Sequence, residues 1–295
     1  MNGSTPGRRD NGEGGAAMSA TGGTARTLKG QVALITGAGR GIGRLLAVGL
    51  AGEGVSVGLV GRDRGRLEET ARGCAERGAA VTVAVADVRS AESTRDAVEH
   101  VRGALGPLNL LVNNAGLVDR GEVPFWEADP GHWWDVFDTN FRGTVNACQA
   151  AVPDMVRRGQ GRIVNINSIF AVRGDIRYSA YSASKAALLA LSETLTGAFA
   201  PRGVHLFDIS PGAVRTDMTL GMAICRNREE WTDPALIVTA VIRVARGELD
   251  PLAGQFLHVG VDDLDELLAG ARGGSPPRAS FSRAWRSPQA AACRD

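Results

Sequence analysis

Lysine is nearly missing from this 295-residue chain: of 33 basic residues only Lys29 and Lys185 are lysine. Tyrosine is as scarce, at Tyr178 and Tyr181 alone. Arginine therefore serves almost wherever a plain positive charge will do, and a lysine deep in the chain calls for a specific reason. The four cysteines, Cys74, Cys148, Cys225 and Cys293, are scattered, with no CxxC pair and no histidine at zinc-ligand spacing. That argues against a disulfide framework or a metal site and for free thiols in a reducing cytosol. His100, His132, His205 and His258 stand apart from one another and read as structural. Net charge is only +1, so no overall field would draw nucleic acid or a membrane surface. No stretch reaches the roughly 18 apolar residues of a membrane span, and residues 1–28 lack the apolar run of a signal peptide. These absences point to a cytoplasmic protein with no pull toward nucleic acid or membrane, translated from Met1 or Met18.

Residues 1–28 and 271–295 are rich in Gly, Ser, Pro or Arg and are expected to be a disordered leader and tail. Residues 29–270 are expected to form one domain. There, short apolar runs alternate with longer helical patterns: Val32–Thr36, Val55–Val60, Val81–Ala86, Leu108–Val112, Arg162–Ile166, Val204–Ile209 and Gln255–Val259. Nearly continuous apolar runs suit strands covered on both faces. The expected fold is α/β, Rossmann-type and doubly wound: a mostly parallel seven-stranded sheet with helices on both faces. Asp129-Pro130 opens a helix by N-cap and first-turn signals, expected to run to about Arg157 with a kink at Pro153. A second runs from Ser179 to about Ala200, before Pro201-Arg202-Gly203.

The first strand leads into Thr36-Gly37-Ala38-Gly39-Arg40-Gly41-Ile42-Gly43. Glycines here permit a sharp strand-to-helix turn and let backbone approach a pyrophosphate at the helix N-terminus. Further on, Tyr181-Ser182-Ala183-Ser184-Lys185 places Tyr and Lys at i and i+4, on one helical face. No other charge occurs between Ser179 and Ser192, so Lys185 is no part of a solvated charged face. Ser168 precedes Tyr181 by 13 residues, at the end of the fifth strand. With this glycine spacing, Asn113-Asn114-Ala115-Gly116, Pro211-Gly212 and Thr216, the chain resembles the short-chain dehydrogenase/reductase family over roughly residues 28–262.

The resemblance implies an NAD(P)-dependent oxidoreductase acting on carbonyl and alcohol groups. Asn140, Ser168, Tyr181 and Lys185 match its catalytic tetrad. Tyr181 would be the acid/base, its ordinary pKa of about 10 lowered by the ammonium of Lys185. Ser168 would polarise the substrate carbonyl, Lys185 would also hold the nicotinamide ribose, and Asn140 would hold a water linking Lys185 to solvent. Asn167, where the family often has serine, is discounted. Gly37, Gly39, Arg40, Gly41, Ile42 and Gly43 would cradle the pyrophosphate. Asp87 and Val88 would lie by the adenine; Asn114, Ala115, Gly116, Pro211, Gly212 and Thr216 would line the nicotinamide half.

Cofactor choice is read at the end of the second strand. An acidic residue there favours NAD, but the position is Gly61, followed by Arg62. Arg40 and Arg62 could clamp a 2′-phosphate, so NADP(H) is favoured; NAD(H) stays possible because a small register shift brings Asp63 to the ribose. Substrate recognition is assigned to Leu117–Phe125, Ile169–Arg177 and a lid at Asp217–Trp231, with Phe170, Tyr178 and Met218 as pocket candidates. The lid's Met218, Leu220, Met222 and Ile224 suit an apolar substrate; Arg120, Arg173 and Arg177 could instead meet an acidic one. Family-type helix pairing implies a homodimer or homotetramer, though Gln255–Asp263 departs from the family's C-terminal pattern. The expected protein is a ketoreductase. An NAD-dependent alcohol dehydrogenase, an epimerase or dehydratase, and a non-catalytic nicotinamide-binding redox sensor are the alternatives.

Overall fold

The computed structural model describes Met1 and residues 27–273, so most of the expected leader and tail lies outside the described residues. The domain is slightly longer than expected at both ends. Leu28 is buried in the core, and a C-terminal helix runs on to Arg272.

One sheet holds β1 (Val32–Thr36), β2 (Ser56–Gly61), β3 (Val81–Val85), β4 (Leu110–Asn113), β5 (Gly161–Ile166), β6 (Val204–Ser210) and β7 (Phe256–His258). Their order is β3-β2-β1-β4-β5-β6-β7. Each strand end falls within two residues of the apolar run that announced it. Every neighbouring pair is parallel, so the sheet is wholly rather than mostly parallel.

Nine described α-helices cover the sheet: α1 (Gly41–Gly52), α2 (Arg64–Ala75), α3 (Ala91–Leu105), α4 (Pro130–Phe137), α5 (Gly143–Arg158), α6 (Ser179–Phe199), α7 (Asp217–Leu220), α8 (Pro234–Arg246) and α9 (Leu264–Arg272). On one face Leu46, Leu67, Val241 and Leu267, from α1, α2, α8 and α9, pack on Ile35, Val164 and Ile209. On the other, Val98 of α3 and Ala151 and Met155 of α5 pack on Leu34, Leu111 and Ile163, with α6 alongside. Alternate strand residues thus feed two separate apolar layers.

The expected helix from Asp129 to Arg157 is interrupted. A π turn at Asp138–Arg142 separates α4 from α5, while Pro153 sits inside α5 without ending it. The extra residue of a π turn lets side chains leave the regular helical face, and the buried residues it carries are Thr139 and Asn140. Asp63, Ser90, Asp129, Asp233 and Asp263 each accept a backbone N–H at the start of α2, α3, α4, α8 and α9. The helix after the glycine loop, α1, has no side-chain cap.

Candidate active site

The carboxyl ends of all seven strands open into one cavity of about 1290 Å³. It straddles β1 and β4, where the strand order reverses, the usual ligand crevice of an open α/β sheet. Gly37, Gly39, Arg40, Gly41 and Ile42 form one wall. The uncapped N–H groups of α1 point an unopposed positive end there. Side chains are excluded from the loop by close packing. A Cβ on Gly43 would lie 2.3 Å from the carbonyl oxygen of Gly37 and 2.5 Å from Asn114 Nδ2. Asn114 ties this turn down, its Nδ2 donating to the carbonyls of Thr36 at 2.9 Å and Gly37 at 3.2 Å. Such a bare backbone cradle fits a dinucleotide pyrophosphate.

At the far end, Arg62 and Arg40 line the cavity, as does Arg66, which sequence reasoning missed. Arg66 lies on the first turn of α2, and nothing local distinguishes it from other surface arginines. Asp63 lines the cavity beside them; its carboxylate accepts the N–H of Arg66 at 3.1 Å as the cap of α2 and pairs with Arg66 Nε at 3.4 Å. Asp217, the first residue of α7, meets Arg40 Nη1 at 3.2 Å and Arg66 Nη1 at 3.8 Å, an ion pair spanning the groove. Asp87 lines the wall with Val88. Hydrogen bonds from Arg89, one of 2.7 Å, hold the Asp87 carboxyl below the usual carboxylate range.

At the other end Ser168, Tyr181, Lys185, Asn114, Ala115, Gly116, Pro211, Gly212 and Thr216 converge. Lys185 is buried; its Nζ lies 5.6 Å from the Tyr181 ring centroid and donates to the carbonyl of Ile166 at 2.7 Å. Desolvation by burial pushes Lys185 down to about 8, against the pull of the Asp208 carboxylate. Burial also raises Tyr181 above its ordinary value, and a hydrogen bond with Ser168 opposes the rise. The expected lowering of Tyr181 is therefore not met in the protein alone: desolvation outweighs the stabilisation of a phenolate.

Asn140 is fully buried. Its Nδ2 donates to the Leu117 carbonyl at 3.0 Å and to Ser184 Oγ at 2.9 Å, and its Oδ1 accepts the Leu117 N–H at 2.8 Å. Both amide hydrogens are thus committed within the protein, leaving a water only a remaining oxygen lone pair. Asp119, also missed, accepts the N–H groups of Ala180 and Tyr181 at 3.0 and 2.9 Å, capping the helix that carries Tyr181. Thr216 caps α7 through a reciprocal box with Thr219.

Phe170 and Met218 line the cavity as expected, joined by Leu117, Met222, Ile224, Cys225 and Trp231. Tyr178 does not border it. Fully buried, it packs at a tilt against Phe170 with centroids 5.5 Å apart and donates its hydroxyl to Glu122 Oε1 at 2.6 Å. Leu220 of the lid is exposed outside the lining. Of the three candidate arginines, Arg173 reaches the cavity, while Arg177 pairs with Asp175 at 2.9 Å. His258 borders the cavity at the end of β7, with its pKa lowered by burial. Among the described residues no cluster of His, Cys, Asp or Glu could hold a metal ion.

An anion-binding helix end, a basic far wall and a Ser–Tyr–Lys group with a buried lysine at the carboxyl edge of a parallel sheet define a dinucleotide-dependent oxidoreductase. Residues 31–223 match the family model described as short chain dehydrogenase, and the chain belongs to that family. It is an oxidoreductase of CH–OH and C=O groups that uses a nicotinamide dinucleotide. An uncharacterized oxidoreductase of Staphylococcus saprophyticus is 36% identical over 198 residues, 65% of this chain and 82% of that protein. The gluconate 5-dehydrogenase of Gluconobacter oxydans is 34% identical over 207 residues, 70% of this chain and 79% of that enzyme. The crystal structure of levodione reductase matches with a TM-score of 0.74 at 24% identity, covering 78% of this chain and 96% of that one, a likeness of fold alone. No described helix is long and apolar enough to cross a membrane.

Proposed function

We propose that this protein is an NADP(H)-dependent ketoreductase, with Tyr181 as the acid/base and Ser168, Lys185 and Asn140 in support. The carrying observation is that the hydrogen-bonded hydroxyls of Ser168 and Tyr181 and the ammonium of Lys185 face one cavity with the glycine loop. When bound, the reduced nicotinamide supplies a hydride to the carbonyl carbon. Ser168 orients the carbonyl oxygen and stabilises the charge growing on it. Tyr181 donates its phenolic proton to that oxygen, leaving a phenolate that Lys185 stabilises. In oxidation the same phenolate takes the alcohol proton. Asn140 positions the loop after β4 against α6, which keeps the cavity floor in register. The lid and Phe170 offer an apolar wall, which suits a largely apolar ketone.

The preference for NADP(H) rests on Gly61, which places no carboxylate at the end of β2, and on Arg40, Arg62 and Arg66 around the space beyond it. Asp63 also lines the cavity, but its carboxylate is already engaged as the cap of α2 and with Arg66. Parallel fluorescence titrations with NADPH and NADH test this: tighter NADPH binding is expected, and equal or tighter NADH binding refutes the preference. Replacing Tyr181 by Phe is expected to cut turnover by about a thousandfold or more and to spare NADPH binding. Near-normal ketone reduction by that variant would remove Tyr181 from the mechanism. A small-molecule substrate and a homodimer or homotetramer complete the proposal.

A further inference from the structure

Beneath α6 the sheet carries a polar row where parallel sheets are ordinarily apolar. Asn113, Asn165 and Asp208 are direct register partners across β4, β5 and β6. They and Asn167 are at most 5% exposed. Asn113 Nδ2 donates to Asn165 Oδ1 at 2.9 Å, Asn165 Nδ2 to Ser192 Oγ at 3.1 Å, and Asn167 Nδ2 to Asp208 Oδ1 at 2.9 Å. From α6, Lys185, Leu188 and Ser192 form the buried stripe at helical spacing. Asn167 also accepts the backbone N–H of Ser168 at 2.9 Å. Its amide therefore joins the Asp208 carboxylate to the strand end that bears the Ser168 hydroxyl.

The Ile166 carbonyl offers the Lys185 ammonium only a dipole. A buried full charge needs an opposite one in the same enclosure. Lys185 and Asp208 make no direct ion pair; they meet across the end of β5, where Lys185 holds the Ile166 carbonyl and the next residue, Asn167, holds Asp208. Of the two buried carboxylates among the described residues, Asp154 is taken by arginines and Asp208 is not. We propose that Asp208 is the buried counter-ion of Lys185 across that strand end, a positioning residue that keeps the lysine charged and, through Asn167, fixes Ser168 in the same unit. Its importance to turnover rests on the proposed function; the pairing of charges does not.

The titratable groups facing the pair are Tyr181 from α6 and Cys148 from α5; β4 and β5 present amides. Burial raises Cys148 to about 12, so it stays a neutral thiol. Burial raises Asp208 to about 6, opposed by hydrogen bonds from Ser192 and Asn167 and by the charge of Lys185. Between these groups' steps the pair is ionic. Removing the Asp208 charge withdraws the pull that opposes desolvation of Lys185, so the lysine loses its proton at lower pH and no longer stabilises a phenolate.

The two-lysine composition makes this directly measurable. Full-length protein labelled with lysine carrying carbon-13 at Cε has two side-chain resonances, and the exposed Lys29 is the internal control. Asp208→Asn is expected to lower the Lys185 titration midpoint by about one pH unit or more and leave Lys29 unmoved. An unchanged Lys185 midpoint overturns the pairing. Should that variant not fold, the unaltered protein decides. Its Lys185 signal is expected to show a second, smaller inflection near pH 6 as Asp208 takes its proton, and a titration with one step overturns the proposal. In ketone reduction at neutral pH, Asp208→Asn is expected to lose about tenfold or more in kcat, with part recovered in Asp208→Glu. A shifted lysine midpoint in a wild-type protein that reduces no ketone would sink the proposed function and leave the counter-ion assignment standing.

Discussion

The proposed preference for NADP(H) puts weight on the position of one side chain, Arg66. It pairs with both Asp63 and Asp217 at the cavity edge, so its guanidinium is held over the space beyond Gly61. A phosphate dianion there would gain charge-assisted hydrogen bonds that a bare ribose could not offer. Arg66→Ala is expected to weaken NADPH binding about tenfold and to leave NADH binding nearly unchanged, by fluorescence titration of both. Equal losses for the two cofactors would assign Arg66 to the stability of α2 instead. Tyr181, Lys185, Ser168 and the glycines were legible in the sequence because their relation is local spacing. Arg66, Asp119, Glu122, Asn167 and Asp208 were not, since each acts across elements brought together only by the fold. The asparagine at Asn167 was a visible departure, discounted because the serine it replaces is not catalytic; its partner Asp208 lies 41 residues away.

Among elements, the 217–231 segment is tied to the rest of the fold by two carboxylates, its own Asp217 and Glu122 of the loop after β4. Glu122 Oε1 accepts both the Tyr178 hydroxyl and the N–H of Ala223, joining the loop after β4, the start of α6 and the segment after α7. Its backbone has φ +52°, the one positive value outside glycine among the described residues, a conformation that costs on the order of 1 kcal/mol. Glu122→Ala is expected to raise KM for the ketone several-fold more than it changes NADPH affinity. Amide hydrogen exchange in 217–231 should quicken in parallel. Unchanged exchange there would show that the segment is held by other contacts, among them the ion pairs of Asp217 with Arg40 and Arg66. The strands were readable because both faces are covered and the runs are continuous. The π turn at Asn140 was not, because it changes helical phase without any proline or glycine to mark it, and Pro153 drew the expected kink to the wrong place.

At the scale of the whole molecule, the cavity's geometry depends also on two helices that do not line it, α3 and α5. Asp154 of α5 is buried and meets Arg158 Nε at 2.9 Å, Arg157 Nη2 at 2.7 Å and Arg102 Nη2 of α3 at 3.3 Å. Arg158 also donates to the carbonyl of Leu108 ahead of β4. One carboxylate thereby joins α3 and α5 and, through Arg158, the strand beneath them. Burial alone would raise the Asp154 pKa, but hydrogen bonding from Arg158 and the three guanidinium charges outweigh it, and the net direction is down. A carboxylate depressed on folding stabilises the fold above its unfolded pKa and loses that contribution as pH falls through the folded one. Arg157 is mostly exposed, so its share is discounted for solvent screening. Asp154→Asn is accordingly expected to cost about 1–2 kcal/mol in urea unfolding at pH 7. The difference from wild type should close below the ordinary carboxylate range, where both side chains are neutral. A gap of equal size at acidic and neutral pH would mean that the asparagine disturbs packing rather than charge. With Asp154 outside the cavity lining, kcat at neutral pH should hold in the folded fraction, so stability and chemistry are expected to separate in this variant.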